Sequence, residues 1–271
     1  MKSIAELTAD EAREVAVVFT DIDGTITDAA GRIPARVFTA LESIRSAGIA
    51  LIPVTGRPAG WCDLIARTWP VDGVVGENGG LFFRRRGAAT KGPGARMERS
   101  FSQDLGTRRK NRTRLDAVCR DVLSLFPGAA LASDQAYREF DIAIDFCEDV
   151  PRLPEGQIDG IVSFLKEAGC HVKVSDIHVN AWFGTFDKAS MCQQAGKEAL
   201  GLDLLGADAH RAVYFGDSPN DAPLFAAFPL AIGVANVAEL AHRMESLPAF
   251  VTQGRGADGF VEGIERLLAV R

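Results

Sequence analysis

The segment VVFTDIDGTITD, residues 17–28, constrains the chain more than any other. Val17, Val18 and Phe19 have the composition of a strand buried on both faces, yet they run straight into two aspartates and a glycine. Residues two apart in a strand point the same way, so Asp21 and Asp23 face one side at the strand's carboxyl end. Open parallel sheets bind ligands in the crevice beyond those ends. Two close carboxylates repel, which raises one pKa unless a cation offsets it, and Mg²⁺ prefers such hard oxygens. A plain acidic turn has the same letters, so the rest of the chain must decide.

The segments that follow alternate strand and helix. Pro34 starts a helical pattern with Val37, Leu41 and Ile44 on one face and Gly48 as its stop. Ile49–Val54 is the next strand, a helix runs through Trp61 and Ile65, and Val74–Val75 is a short strand. This β-α-β-α-β order implies parallel strands with right-handed crossovers. Asn78-Gly79 in GENGGLFFR marks a tight turn into an extended piece. The same grammar returns late: a helix over Asp187–Leu200, a strand over Ala212–Gly216, a helix from Pro219, a strand over Leu230–Val234 and a last helix in GFVEGIERLLAV.

Between these halves the composition changes. Arg84–Asp116 holds eleven Lys/Arg against three acids, a local charge of +8 in a chain that is −6 overall. GAATKGPGAR reads as a loop, AYREFDIAIDF as an antiparallel strand with one open face, IDGIVSFLKEAG as a helix, and HVKVS and HVNAWF as strands. The predicted fold is α/β: a Rossmann-like parallel sheet core formed by residues 1–83 and 187–271, with an α+β cap domain inserted at 84–186. The chain has 271 residues and is 47% apolar, enough for a sizeable core. No apolar run approaches the roughly 18 residues of a membrane span. The polar start MKSIAELTADEAREV has no leader-like stretch, so a cytoplasmic address is expected. The five cysteines are scattered, as reduced thiols would be.

Three further segments end at the predicted crevice. Thr55 in LIPVTGRP offers a hydroxyl, with backbone N–H groups near it, to a phosphate oxygen. Lys188 stands in the first turn of a helix, where a cation is disfavoured by the helix dipole, and that mismatch favours a functional lysine. Asp217 in GDSPND follows a strand and precedes Asn220 and Asp221, although Asp217 or Ser218 would also serve as a helix N-cap.

In this order, DxDGT (Asp21 to Thr25), Thr55 in PVTGRP, Lys188 and GDSPND (Gly216 to Asp221) resemble the four motifs of haloacid dehalogenase-like phosphatases. The insertion, ENGG and GDSxND are similar to the Cof-type group, subclass IIB, which includes sucrose-phosphatase-like and mannosyl-3-phosphoglycerate-phosphatase-like enzymes. The resemblance implies a Mg²⁺-dependent phosphatase acting on a small phosphate monoester, a sugar or glycerate phosphate, through an aspartyl-phosphate. It makes Asp21 the nucleophile and Asp23 the general acid and base. Mg²⁺ would be held by Asp21, Asp217 and the backbone carbonyl of Asp23, with Asp221 as an outer partner of metal or lysine. Thr55 and Lys188 would neutralise the phosphoryl oxygens, joined by Gly56, Arg57, Asn78 and Asn220. Asp23 excludes dehalogenase chemistry. A sugar phosphomutase and a non-catalytic phosphate-ligand sensor are the alternatives.

The cap would cover the crevice. Its basic run either steers anionic substrates or is a solvated face. Without interleaved aromatics it does not predict nucleic-acid binding. In SDIHVNAWFGTFDK, Ile177, Val179 and Ala181 share one face, and His178, Asn180 and Trp182 the other. His178 is a candidate substrate contact, and Arg138-Glu139 resembles a pair in the sugar-phosphatase relatives. The expected partner is a small-molecule phosphate ester, with no nucleic acid or membrane, for a monomer or homodimer.

Overall fold

The structure is a computed structural model that describes residues 1–86, 95–175 and 177–271. Most of the loop expected in GAATKGPGAR lies outside the described residues. The strands are β1 (Lys2–Ser3), β2 (Val17–Thr20), β3 (Ala50–Pro53), β4 (Val74–Gly76), β5 (Leu81–Arg86), β6 (Arg96–Phe101), β7 (Ala130–Leu131), β8 (Ile142–Asp145), β9 (His171–Val174), β10 (His178–Trp182), β11 (Ala212–Gly216), β12 (Leu230–Gly233) and β13 (Phe250–Val251). The helices are α1 (Ala9–Ala12), α2 (Ala35–Ser46), α3 (Ala59–Thr68), α4 (Leu105–Leu125), α5 (Glu155–Glu167), α6 (Lys188–Leu200), α7 (Ala222–Ala227), α8 (Val237–Leu240) and α9 (Gly256–Val270).

A parallel sheet ordered β1-β13-β12-β11-β2-β3 forms the centre. The apolar run of β2 serves both faces of that sheet. Val17 and Phe19 join one buried cluster and Val18 joins the other. Each such side chain contributes about 1.5–3 kcal/mol by leaving water. On the Val18 side, α2 buries Val37, Leu41 and Ile44 and packs against α9, which buries Phe260, Ile264 and Leu267. The expected β-α-β-α-β order and the returning strands and helices are present. Val54 bridges Val75 in parallel, and β4, β5 and β6 continue from there as an antiparallel sheet.

The expected domain boundary at Arg84 therefore falls inside β5. The β5–β6 hairpin lies on α6, where Arg84 donates to the Glu198 carbonyl at 2.6 Å. A second sheet, β7-β8-β10-β9, is antiparallel and has its own core, built from Leu115, Val122, Ile144, Phe146, Ile161 and Val179 among others. Its residues lie between α4 and β10. AYREFDIAIDF is not one strand with an open face. Gln135–Tyr137 is a 3₁₀ turn, and β8 lies between β7 and β10 with all four residues buried.

Helix α4 answers the question of the basic run. Three of its arginines pack against the inserted domain, Arg108 and Arg112 half-buried and Arg114 exposed. Arg108 stacks on Phe101 at 3.8 Å and pairs with Glu139 at 3.0 Å. Arg114 stacks on Phe183 at 3.5 Å. Arg112 donates to the carbonyls of Arg138 and Asp141.

The inserted domain is tied to the core at Glu77 and Asn78, whose φ angles are +46° and +54°. That left-handed backbone is costly for residues with a side chain. It sends the Glu77 carboxylate into the seam, fully buried, where it accepts from the backbone N–H of Ala59 (2.8 Å), Glu139 (2.8 Å), Phe140 (2.6 Å) and Asp141 (3.3 Å). Burial, with nearby Asp141 adding, pushes this carboxyl up to about 7 against those donors. Both oxygens face N–H groups, so an amide would bring its own N–H₂ against donors. Glu77→Gln is expected to cost about 2–3 kcal/mol at pH 8, read from the urea midpoint. An unchanged midpoint would show that the seam does not rest on this carboxylate.

Candidate active site

Four segments end at one rim of the parallel sheet. The Asp21 N–H donates to the Phe215 carbonyl at 2.8 Å, which seats Asp21 at the end of β2 against β11. Lys188 is the first residue of α6, behind a capping box between Asp187 and Ser190. Its ammonium, 3% exposed, lies 2.8 Å from Asp21 Oδ1 and 2.8 Å from Asp221 Oδ1. The other oxygen of Asp21 has no hydrogen-bond donor among the described residues.

Asp221 is fully committed. Its Oδ1 also accepts from the Tyr214 hydroxyl at 2.5 Å, and its Oδ2 accepts from the N–H groups of Asp217 (3.0 Å) and Ser218 (3.2 Å). Ser218, not Asp217, is the N-cap of the following turn. Asp217 is thereby left to face the site. Its Oδ1 accepts from Thr25 Oγ1 at 3.2 Å and its Oδ2 from Asn236 Nδ2 at 2.8 Å. Gly24, at φ +77°, passes so close that an added Cβ would stand 2.4 Å from Asp217 Oδ2.

Asp21, Asp217 and Asp221 offer oxygens that all lie within 4.8 Å of one another. Burial pushes the Asp21 carboxyl up to about 8, with Asp221 and Asp23 adding and Lys188 opposing. Lys188 is raised, because the two carboxylates outweigh the burial that would lower it. With one ammonium among three buried carboxylates, the donor set suits a hard divalent cation.

Asp23 stands apart from this cluster. Its carboxylate is gripped by Arg57, Nη2 to Oδ1 at 2.7 Å and Nε to Oδ2 at 3.0 Å, and its side chain is about half exposed. Thr55 is buried at the end of β3, and its hydroxyl accepts from the Arg57 N–H at 3.0 Å. Asn78 donates its N–H to the Thr55 carbonyl and lays its amide against Gly56. Asn220 accepts from the Ser218 hydroxyl at 2.7 Å.

His178 is not brought to the carboxylates. It is buried in the inserted domain, with Nε2 2.9 Å from Glu148 Oε2, and burial lowers its pKa. On the same face Asn180 donates to Asp141, which pairs with Arg138. Arg138 in turn donates to the Gly56 carbonyl at 3.2 Å, next to Thr55. Glu139 faces Arg108.

Sequence reasoning missed Asn236, Tyr214 and Glu77. Asn236 joins the segments after β2 and β11 to the start of α9 by bonding Asp217, the Gly24 carbonyl and the Gly256 N–H. It sits just past β12, the same kind of position that singled out Asp217. Depressions of about 590 and 500 Å³ at the opposite sheet end, near Ala16 and Arg211, hold none of the motifs.

A family model described as haloacid dehalogenase-like hydrolase matches residues 18–88. A phosphoglycolate phosphatase of Methanoculleus marisnigri is 23% identical over 257 residues, covering 91% of this chain and 94% of the relative. A Thermoplasma acidophilum crystal structure shares the fold with TM-score 0.69 and 18% identity, over 94% of this chain and 98% of that one. The sucrose-phosphatase of Synechocystis, solved with sucrose and phosphate, shares it with TM-score 0.62 and 17% identity, over 93% and 97%. No described helix is long and apolar enough to cross a membrane. Motif order, fold and family model point the same way: the chain is similar to the haloacid dehalogenase-like hydrolases.

Proposed function

We propose that this chain is a Mg²⁺-dependent phosphatase that hydrolyses a small phosphate monoester through an aspartyl-phosphate on Asp21. The observation that carries this reading is the Asp21–Lys188–Asp221 chain of contacts, with Asp217 beside it and Asp23 held apart. Lys188 anchors one oxygen of Asp21, which leaves the other to attack phosphorus. Asp23, outside the carboxylate cluster and partly open, protonates the leaving oxygen and then takes a proton from the water that opens the acyl-phosphate. In this reading Thr55 and Lys188 bind the phosphoryl oxygens. Asp21 and Asp217, with the Asp23 backbone carbonyl, would hold the cation, and Asp221 fixes Lys188. Bound there, the cation would favour ionised Asp21 and offset the charge of the phosphate. The substrate is read as a sugar or glycerate phosphate, in keeping with the phosphoglycolate and sucrose-phosphate enzymes to which the chain is similar.

Purified protein with a chromogenic phosphate ester and Mg²⁺ is expected to release phosphate, and chelation to abolish it. Asp21→Asn is expected to lower kcat by at least about a thousandfold with an unchanged circular dichroism spectrum. Phosphate release undiminished in Asp21→Asn would refute the role of Asp21.

A pH dependence follows from the raised Asp21. An acid whose folded pKa lies above its unfolded value stabilises the fold at low pH, and that contribution is lost as pH rises through the folded value. Glu77 shifts the same way but ends near 7, so the window above it belongs to Asp21. In chelator, Tm is expected to fall by roughly 5 °C between pH 7 and 9. Asp21→Asn or added Mg²⁺ is expected to flatten that slope, and a flat profile for the parent chain in chelator would contradict it.

A further inference from the structure

Trp61 stands in the first turn of α3 and is 44% exposed. A single exposed ring on a surface needs no explanation, but this one carries a charge. The Arg57 guanidinium lies 4.6 Å from the centre of the indole. The ring's negative face attracts the cation and so restrains a side chain that would otherwise swing freely.

That guanidinium meets the Asp23 carboxylate as a fork. Nη2 and Nε hold Oδ1 at 2.7 and 3.3 Å, and Nε holds Oδ2 at 3.0 Å. Asp134 and Glu148 also act on Arg57, but they are paired with Arg138 and His178. Among the described residues, Asp23 is the one acid in ion-pair contact with Arg57. The supports of this chain are fixed backbone. The Arg57 N–H donates to Thr55 Oγ1 at 3.0 Å, and its carbonyl accepts from the Glu77 N–H at 3.1 Å. At the start of α3, the Ala59 N–H donates to the Glu77 carboxylate at 2.8 Å.

An acid–base group must meet the proton it moves within hydrogen-bond reach. The Asp23 side chain is half exposed, and left alone it would divide its time among staggered rotamers. When it carries the proton, one oxygen becomes a donor and the other still accepts from the guanidinium. Oδ1, with two donors, keeps that contact, which leaves Oδ2 to face the leaving group. We propose that Arg57 and Trp61 are positioning residues for Asp23: the indole holds the guanidinium, and the guanidinium decides which carboxyl oxygen meets the leaving group. This assigns Arg57 to Asp23 rather than to the phosphoryl oxygens. It goes beyond the phosphatase reading and rests on it. In the step concerned, the Asp21 oxygen not held by Lys188 bonds to phosphorus. The ester P–O bond breaks with its electron pair on the leaving oxygen, and the proton on Asp23 Oδ2 passes to that oxygen.

Two aryl esters of similar shape separate this step from binding. p-Nitrophenolate leaves phosphorus without a proton, whereas phenolate is a far poorer leaving group and gains from one. kcat/KM reaches only as far as departure of the leaving group, so the later attack of water does not enter it. With Mg²⁺, the ratio of kcat/KM for phenyl phosphate to that for p-nitrophenyl phosphate is expected to fall about tenfold in Arg57→Ala and about threefold in Trp61→Ala. Trp61→Phe is expected to keep most of the ratio. Where Arg57→Ala does not fold, Arg57→Lys, which keeps the charge and loses the fork, carries the same expectation. In an Asp23→Asn background Arg57→Ala is expected to lower the ratio no further, because the two residues act in series. Equal loss on both esters would assign Arg57 to the phosphoryl group and overturn the proposal while leaving a phosphatase. An unchanged ratio in either alanine variant, or a further fall in the Asp23→Asn background, would overturn it as well. A folded parent that hydrolyses neither ester would refute the phosphatase reading, and this role with it.

Discussion

The Lys188 ammonium between Asp21 and Asp221 is the interaction on which the rest of the site depends. Three carboxylates at one sheet rim, all buried, would repel strongly, and burying one unpaired charge is costly. One lysine, 3% exposed and within 2.8 Å of two of them, reduces that repulsion. Its place at the first turn of α6 is unfavourable for the helix dipole, which the two carboxylates outweigh. The fold reaches this point from two ends of the chain. β2 brings Asp21 and β11 brings Asp217 and Asp221, in neighbouring parallel strands. α6 delivers Lys188 straight after the inserted domain.

That connection gives the seam its importance. Gly79, at φ +100°, passes so close to α6 that an added Cβ would stand 2.0 Å from the Asp187 carbonyl. The turn holding Glu77 and Asn78 therefore touches the start of the lysine helix, the backbone of residues 139–141 and the Thr55 carbonyl at once. Arg138 adds a contact from the inserted domain to Gly56. The loop at 55–57 is thus fixed by groups from both domains, and the inserted domain is part of how the rim of the core keeps its shape.

Much of this was legible in the sequence because it depends on short-range rules. A buried strand running into Asp21 and Asp23, and again into Asp217, announces a polar sheet rim, and Lys188 announces itself by being misplaced for its helix. What escaped depends on distant partners. Helix α4 was hidden because arginines occupy much of its length, while its buried positions, Leu115, Cys119 and Val122, are sparse. Those arginines read as a charged run because nothing local shows that Phe101 and Phe183 lie beneath them. Glu77 looked like part of a turn, since its four backbone partners come from α3 and from the inserted domain. AYREFDIAIDF alternates well enough for a strand, yet Glu77 and Arg112 take up the polar backbone of residues 138–141 that a longer ladder would need.

The account's central claim is that a charged Lys188 is what lets the buried carboxylates share one rim, and the stability of Lys188→Met tests it most directly. Denaturant unfolding at pH 8 without metal is predicted to show a loss of about 3 kcal/mol or more. Adding Asp221→Asn is predicted to restore part of it by removing one unpaired charge. A Lys188→Met chain as stable as its parent would contradict the claim.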